Sequence, residues 1–152
     1  MTTPTGLDAD AVIDRELTFI GPDVDDTNEF FFDSTAKGQL AFQRCTNCAA
    51  WWNLPAQACH ACGGTDYEVV ATSGRGFVHT YAIPRRPAAA LLDEGLVFVV
   101  VELDEGVRIF SRLVDVEADV AAIDFGMRVK VAFARSKSGA MVPVFVPDQR
   151  AA

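Results

Sequence analysis

The sequence lacks the features that mark export, a membrane span or contact with a nucleic-acid backbone. Its longest uninterrupted apolar run, residues 96–101, is far shorter than the roughly 20 residues of a transmembrane helix. Residues 1–6 have neither the basic region nor the apolar stretch of a signal peptide. The chain has 13 basic residues against 21 acidic ones, a net charge of −8, which disfavours a nucleic-acid partner. These absences predict a cytoplasmic protein with no membrane contact.

Catalytic patterns are also missing. There is no His-x-Glu pair, no Gly-x-Ser-x-Gly motif and no glycine-rich phosphate loop. Of the two histidines, His60 lies inside a cysteine pair, and His79 lies in a stretch of alternating apolar residues that is typical of a strand face. We therefore expect that the chain is not an enzyme by itself.

All four cysteines fall within 18 residues, as two Cys-x-x-Cys pairs: Cys45 with Cys48, and Cys59 with Cys62. Each pair brings two thiolates to one side of a tight turn, and two facing turns make the tetrahedral sulfur set that suits Zn²⁺. Because the protein supplies all four ligands, we predict one structural zinc per chain and not a catalytic one. Two alternatives stay open, since the same sulfur set binds iron and an oxidising compartment would favour two disulfides.

The acidic residues are concentrated near the N-terminal end of the chain. Residues 1–36 hold nine of the 21 acids and only one base. Within this segment, Asp26 followed by Glu29 has the pattern of a helix start, with Asp26 as the N-cap, and Gly38 is a typical helix end. We expect a helix over residues 27–37.

Five large aromatic side chains lie in this helix or between the cysteine pairs: Phe30, Phe31, Phe32, Trp51 and Trp52. Consecutive helical residues are about 100° apart, so three phenylalanines cover more than one helix face. The segment that carries the two cysteine pairs, here called the ribbon, is small, and the helix is short. Together they offer little interior for five such side chains. We therefore predict that they contact a partner protein, the alternative being that some pack on the core of the chain itself. For Trp51 and Trp52, the simplest arrangement is that one packs under the ribbon and the other meets a partner subunit.

From residue 67 onward the pattern changes to short, β-rich segments separated by turn residues. Asp104, Glu105 and Gly106 form a three-residue hairpin loop between two of them, and a longer connection at 115–126 precedes the fourth main strand. Five main strands with this extra segment fit the small Greek-key barrel called the OB-fold. The candidate strands cover residues 67–72, 76–83, 96–103, 107–114, 127–134 and 140–146.

Six stretches follow one another along the chain: 38–45 (GQLAFQRC), the cysteine ribbon to residue 63, 73–81 (SGRGFVHTY), 97–106 (VFVVVELDEG), 125–131 (FGMRVKV) and 143–147 (PVFVP). In this order they resemble the DUF35 family of OB-fold, acyl-CoA-associated proteins. The resemblance covers roughly residues 22–147, nearly the whole chain. Two departures are Ala49, where the family commonly has glycine, and Gln57, where it commonly has arginine.

The resemblance implies a mainly β chain with an N-terminal helical segment at 1–40, a rubredoxin-like zinc ribbon at 41–66 and an OB-fold barrel at 67–152. Members of the family are commonly partners of thiolase-like enzymes, including lipid-transfer-type homologues that act as aldolases in steroid side-chain breakdown, or of MaoC-type hydratases. In those complexes the DUF35 component is generally not the catalyst. We therefore expect a non-catalytic accessory subunit that stabilises its enzyme, contributes to acyl-CoA binding, and serves steroid or fatty acyl-CoA degradation.

Two other functions stay open on the sequence. A stand-alone acyl-CoA-binding protein needs basic groups that face the CoA phosphates, and Arg75, Arg85 and Arg86 are the candidates. The alternative for Arg85 and Arg86 is a solvated pair of loop charges. An OB-fold that binds single-stranded nucleic acid needs a basic groove with stacking aromatics, which the acidic balance disfavours.

Overall fold

The structure is a computed structural model and describes residues 12–16, 21–53, 55–85 and 95–149 of the chain. Within these ranges the fold is mainly β, as the sequence predicted, with one short helix. No helical segment there has the length and apolar character that a bilayer crossing requires. In chain order the elements are β1 (Val12–Glu16), α1 (Glu29–Ala36), β2 (Ala41–Cys45), β3 (Trp51–Trp52), β4 (Tyr67–Ala71), β5 (Arg75–Ala82), β6 (Phe98–Leu103), β7 (Arg108–Arg112), β8 (Arg128–Arg135) and β9 (Met141–Pro147).

The last five strands form a barrel. β5, β6 and β7 make an antiparallel meander, and β8 pairs antiparallel with both β5 and β9. A parallel bridge between Leu113 and Phe145 brings the chain after β7 against β9 and closes the circle. This strand order, with a long connection between β7 and β8, is the OB-fold that the sequence predicted.

The predicted strands from residue 67 onward are all present, with ends that differ by no more than two residues from the prediction. The predicted hairpin loop is also confirmed. The backbone N–H of Leu103 donates to the carbonyl oxygen of Val107 at 2.9 Å, and Gly106 has a φ of 89°. Glycine adopts this left-handed conformation at little cost, which is why it ends the three-residue loop.

The barrel interior is filled by the inward-facing residues of each strand. In β6, Val99, Val101 and Leu103 are buried, and the residues between them are only partly buried. Phe133 of β8 and Phe145 of β9 are completely buried in the same core. Burial of apolar surface contributes about 25 cal/mol per Å², so these side chains are the main source of the barrel's stability.

A second sheet, with the order β3-β2-β4, precedes the barrel. Arg44 of β2 lies opposite Trp51, and Cys45 lies opposite Tyr67. No strand was predicted at β2 or β3, because segments this short do not show a clear repeat of two residues. β4 was predicted at the start of the OB-fold segment, whereas it pairs with ribbon strand β2. The three-domain division at residues 40 and 66 stays a prediction.

The helix starts two residues later than expected. Its N-cap is Asn28, so the prediction of Asp26 as the N-cap is wrong. The cause is a turn that precedes the helix. Oδ1 of Asp25 accepts hydrogen bonds from the backbone N–H and the hydroxyl of Thr27, at 2.8 and 2.5 Å, and this local bonding replaces the first expected helical turn.

The helix ends at the predicted glycine. Gly38 has a φ of 72°, its N–H donates to the Thr35 carbonyl, and the N–H of Gln39 donates to the Ser34 carbonyl, which is the Schellman pattern. The buried hydroxyl of Thr35 also donates to the Met141 carbonyl of β9 at 2.7 Å. This bond fixes the end of α1 on the barrel.

One strand lies in the segment for which only a helix was expected. β1 pairs parallel with β8, with Val12 opposite Phe133 and Glu16 opposite Arg135. The first half of β8 pairs with β5, so β1 continues the sheet along the second half. A pairing between residues this far apart in the chain leaves no local signal.

The change Gly76→Ala tests the packing of β5 on β6. A Cβ at this position would lie 2.8 Å from Cα of Leu103 and closer still to the carbonyl oxygen of Glu102. These are backbone atoms of the paired strand, so they cannot move without disturbing the sheet. We expect Gly76→Ala to lower the free energy of unfolding by about 3 kcal/mol, measured by urea denaturation.

Gly95→Asn is the control for this measurement. No atom of the described residues lies within 4 Å of a Cβ built at Gly95, and the φ of Gly95 is 74°, which asparagine tolerates better than other residues. We expect a much smaller loss of stability there. Equal losses in the two variants would show that the close approach at Gly76 does not matter.

Candidate functional site

The four cysteines lie together in the ribbon. The Sγ–Sγ distance is 3.7 Å between Cys45 and Cys62 and 3.6 Å between Cys48 and Cys59, and all four sulfurs lie within 4.8 Å of one another. Zn–S bonds of about 2.3 Å in a tetrahedron give sulfur–sulfur separations of about 3.8 Å, so this set could hold one metal ion. The four thiols are free. The disulfide alternative is therefore wrong, since a disulfide bond requires a sulfur–sulfur distance of about 2 Å.

Both cysteine pairs are held by the same kind of turn. The N–H of Ala49 donates to the Cys45 carbonyl, and the N–H of Gly63 donates to the Cys59 carbonyl, each at 2.9 Å. The φ values of Ala49 and Gly63 are 61° and 74°, a region that favours glycine. Ala49 therefore carries backbone strain at the position where the resemblance led us to expect glycine.

N–H groups surround two of the sulfurs. The backbone N–H of Ala61 donates to Sγ of Cys59, and that of Gly64 donates to Sγ of Cys62, both at 3.4 Å. The side-chain amide of Asn47 also donates to Cys62 at 3.4 Å. This amide is the main cause of the lowered pKa of Cys62, followed by the N–H of Gly64. A lower pKa favours the thiolate, which is the form that binds a metal.

Trp52 lies beneath the cluster. It is 3% exposed and packs with buried Cys45 and Cys59, and its ring lies 5.4 Å from that of Tyr67. The sequence predicted that one of the two tryptophans packs under the ribbon, and Trp52 is that residue, because its indole forms the small interior of the ribbon.

The other four residues predicted for a partner interface are partly buried: Phe30, Phe31, Phe32 and Trp51. Phe31 packs against the barrel core, with its ring 6.1 Å from that of Phe42. Phe32 packs on a smaller apolar cluster of β8 and β9. The guanidinium of Arg44 lies over the Trp51 ring at 5.5 Å. The interface role of all five aromatic residues stays a prediction.

The structure describes two of the three predicted CoA-binding arginines, and these two lie at opposite ends of β5. Arg75 begins β5, and its Nη1 pairs with the buried carboxylate of Asp148. Arg85 follows the other end of β5 and is exposed, which places the two residues more than roughly 20 Å apart along the strand. Arg86 lies outside the described residues. The CoA-binding role of each stays a prediction.

An apolar groove, which no sequence pattern predicted, lies where α1, the ribbon and the barrel meet. Its volume is about 960 Å³, and Phe31, Phe32, Phe98 and Phe110 are among the residues that line it. The rings of Phe98 and Phe110 stack with centroids 5.4 Å apart, and Phe110 is 65% exposed. A signal was present in the sequence, since both residues occupy outward positions of alternating strands, where polar residues are usual.

Comparisons with families and solved structures agree with this fold. A family model described as the C-terminal OB-fold domain of ChsH2 matches residues 69–134. A chain in a structure titled "Ltp2-ChsH2(DUF35) aldolase" has a TM-score of 0.74 and 29% identity, over 84% of this chain and 98% of that one. A DUF35-family protein of unknown function from Sulfolobus solfataricus, 13% identical with a TM-score of 0.56 over 81% of this chain and 86% of that one, shares the fold.

Two curated proteins are also similar in sequence. A probable enoyl-CoA hydratase alpha subunit from Thermomonospora curvata is 30% identical over 126 residues, which are 83% of this chain but only 39% of that protein's length. A DUF35 domain-containing scaffold protein from Methanocaldococcus jannaschii is 32% identical over 96 residues, which are 62% of this chain and 67% of that protein. With its OB-fold barrel and its four-cysteine ribbon, the chain belongs to the DUF35 family.

Proposed function

We propose that this protein is a non-catalytic accessory subunit that binds and stabilises a thiolase-like or MaoC-like enzyme. In this role it contributes to acyl-CoA binding in steroid or fatty acyl-CoA degradation. The observation that carries the proposal is the match to 98% of a chain in the Ltp2-ChsH2(DUF35) aldolase structure. The names of the curated relatives, a hydratase alpha subunit and a scaffold protein, support a place in an enzyme complex.

The surface supports the same proposal. Phe110 is 65% exposed and borders a groove that is lined mostly by apolar side chains. Exposed apolar surface of this kind is typical of interaction sites. An accessory subunit that buries such a surface in a complex gains stability from the contact, as does its partner.

We propose zinc as the ion that the four cysteines hold, one per chain, in the reducing cytoplasm. Four protein ligands leave no position for a substrate or water, so the ion would act on the fold and not on a reaction. It would join the turn after β2 to the turn that carries Cys59 and Cys62. The buried core of the ribbon consists of Cys45, Trp52 and Cys59, which is too small to hold these turns without it.

A stand-alone acyl-CoA-binding protein is the second candidate. The groove volume of about 960 Å³ lies within the roughly 300–1,000 Å³ of small-molecule sites, and an apolar lining suits an acyl chain. In that case Arg75, Arg85 and Arg86 would face the phosphates of CoA.

The metal proposal predicts that Cys45→Ser and Cys62→Ser lose the ion and the ribbon fold, because three remaining ligands recover too little binding free energy. We expect about one zinc per wild-type chain by elemental analysis, and none in the variants. His60→Ala is the control: His60 lies within the second cysteine pair but is exposed and is not among the four metal-ligating residues. Iron in place of zinc, or a folded ribbon without any metal, would contradict the proposal.

Because Asn47 donates a hydrogen bond to Cys62, we expect the wild-type protein to lose the ion more slowly than a variant without this amide. Asn47→Ala removes the amide that donates to this sulfur, and the loss of such an outer contact typically costs about tenfold in metal affinity. We expect zinc transfer to a chelating dye to be about tenfold faster in Asn47→Ala than in wild type or in His60→Ala. Equal transfer rates in all three proteins would show that the amide has no effect on the ion.

The accessory role is tested by co-expression with thiolase-like and MaoC-like subunits from the same genome. We expect one of them to form a complex that survives size-exclusion chromatography and raises the Tm of the enzyme subunit. Acyl-CoA turnover should require the enzyme subunit. Cys45→Ser serves as a control chain with a disrupted ribbon. Turnover by the isolated protein, or no complex with either class, would overturn the proposed function.

A further inference from the structure

The phenylalanine rings that line the groove pack on one another in pairs. Phe31 and Phe32 of α1 meet edge to face with centroids 5.3 Å apart, and Phe98 and Phe110 stack at 5.4 Å on the barrel side. Because each ring already rests on another, an occupant would not need to order flexible side chains on binding. The groove is therefore a pre-formed apolar surface between the helix and the barrel.

The floor of the groove offers side chains and not a free strand edge. Val142, Pro143 and Val144 of β9 line it. Pro143 has no backbone N–H, and its carbonyl oxygen accepts a hydrogen bond from the Ser111 hydroxyl at 2.7 Å. A further strand therefore cannot pair with β9 at this point. An occupant must be recognised by the apolar groups that it places against the rings.

The rim on the helix side is acidic. Residues 21–36 contain no lysine or arginine, and hydrogen bonds from the hydroxyl and N–H of Thr27 lower the pKa of Asp25, so this carboxylate stays ionised at neutral pH. Four exposed carboxylates flank the lining residues Pro22, Thr27 and Asn28: Asp23, Asp25, Asp26 and Glu29. A positive group on an occupant of the groove would be attracted to this rim.

We infer that the groove binds a short segment of the enzyme partner in which apolar side chains lie next to a lysine or arginine. The inference rests on the proposed function and identifies the surface that holds the complex together. The apolar side chains fill the space between the rings, and the basic group faces the carboxylates. An acyl-CoA matches this chemistry less well, because its phosphates would face the acidic rim. Among the described residues that line the groove, Arg112 alone is basic, which is little positive charge for the several phosphate groups of CoA.

Two matched substitutions test the apolar part of the inference in the complex. Phe110 and Phe125 are exposed to a similar degree, at 65% and 72%, and each ring contacts one other ring, but only Phe110 lines the groove. We expect Phe110→Ser to weaken the complex about 30-fold, as is typical for an aromatic anchor. Phe125→Ser should change the Kd less than about twofold. Zinc content and circular dichroism report whether both variants are folded.

A charge series tests the rim. The triple variant Asp23→Asn, Asp26→Asn and Glu29→Gln removes three rim charges and keeps Asp25, whose carboxylate holds the turn before the helix. We expect it to slow association about tenfold at low salt and to make the Kd less sensitive to salt. The control, Glu68→Gln, Glu117→Gln and Asp124→Asn, removes the same charge from exposed positions outside the groove and should leave the association rate near that of wild type.

A photocrosslinking residue at position 110 identifies the occupant. We expect it to crosslink to an apolar peptide of the enzyme with a lysine or arginine within a few residues. If the complex forms but Phe110→Ser binds as wild type does, or the crosslinked peptide has only acidic neighbours, the inference is wrong and the accessory role stands. If decanoyl-CoA binds the isolated protein, blocks the crosslink and loses its binding in Phe110→Ser, the groove is an acyl site. If no enzyme subunit binds, the proposed function fails, and the inference fails with it.

Discussion

The pairing of β8 along both edges is the constraint on which the rest of the structure depends. One edge pairs with β9 over seven residue pairs, and the other is shared by β5 and β1. Val129 and Phe133 of β8 are completely buried, so apolar burial fixes this strand in the core. β9 then carries α1, through the hydrogen bond from Thr35 to Met141. Residues of β9 and of α1 line the groove. Its shape therefore depends on the buried core that holds these two elements in place, although its exposed residues are not part of that core.

The ribbon has a much smaller interior than the barrel. Its buried core consists of two cysteines and Trp52, so hydrophobic burial contributes little to its stability. An ion held by the four sulfurs, as we propose, would supply the remaining free energy. The two parts meet at Phe42, which belongs to the strand that ends in Cys45, packs into the barrel core and lines the groove. An ion in the ribbon would thus support one side of the groove without taking part in what the groove binds.

Local patterns predicted the features that a few neighbouring residues control. The cysteine spacing, the barrel strands, the loop that ends at Gly106 and the helix end at Gly38 all follow from turn geometry or from a repeat of two. The N-cap was assigned to Asp26 although Asp25 forms the competing turn with Thr27, because the pattern does not distinguish adjacent aspartates. The sequence did not decide which of Trp51 and Trp52 packs under the ribbon, because that depends on two cysteines that only the folded ribbon brings over Trp52.

By itself, the sequence determined that the chain is mainly β, that it has an OB-fold barrel, and that four thiols lie close enough to hold one ion. These properties depend on residue type and spacing along the chain. Only the tertiary structure decided that β1 extends the sheet at β8, that β4 pairs with the ribbon, and that Phe31, Phe98 and Phe110 border one groove beside an acidic rim. The physical reason is that these contacts join segments tens of residues apart, and the free energy that selects them comes from the shared core and not from any local pattern.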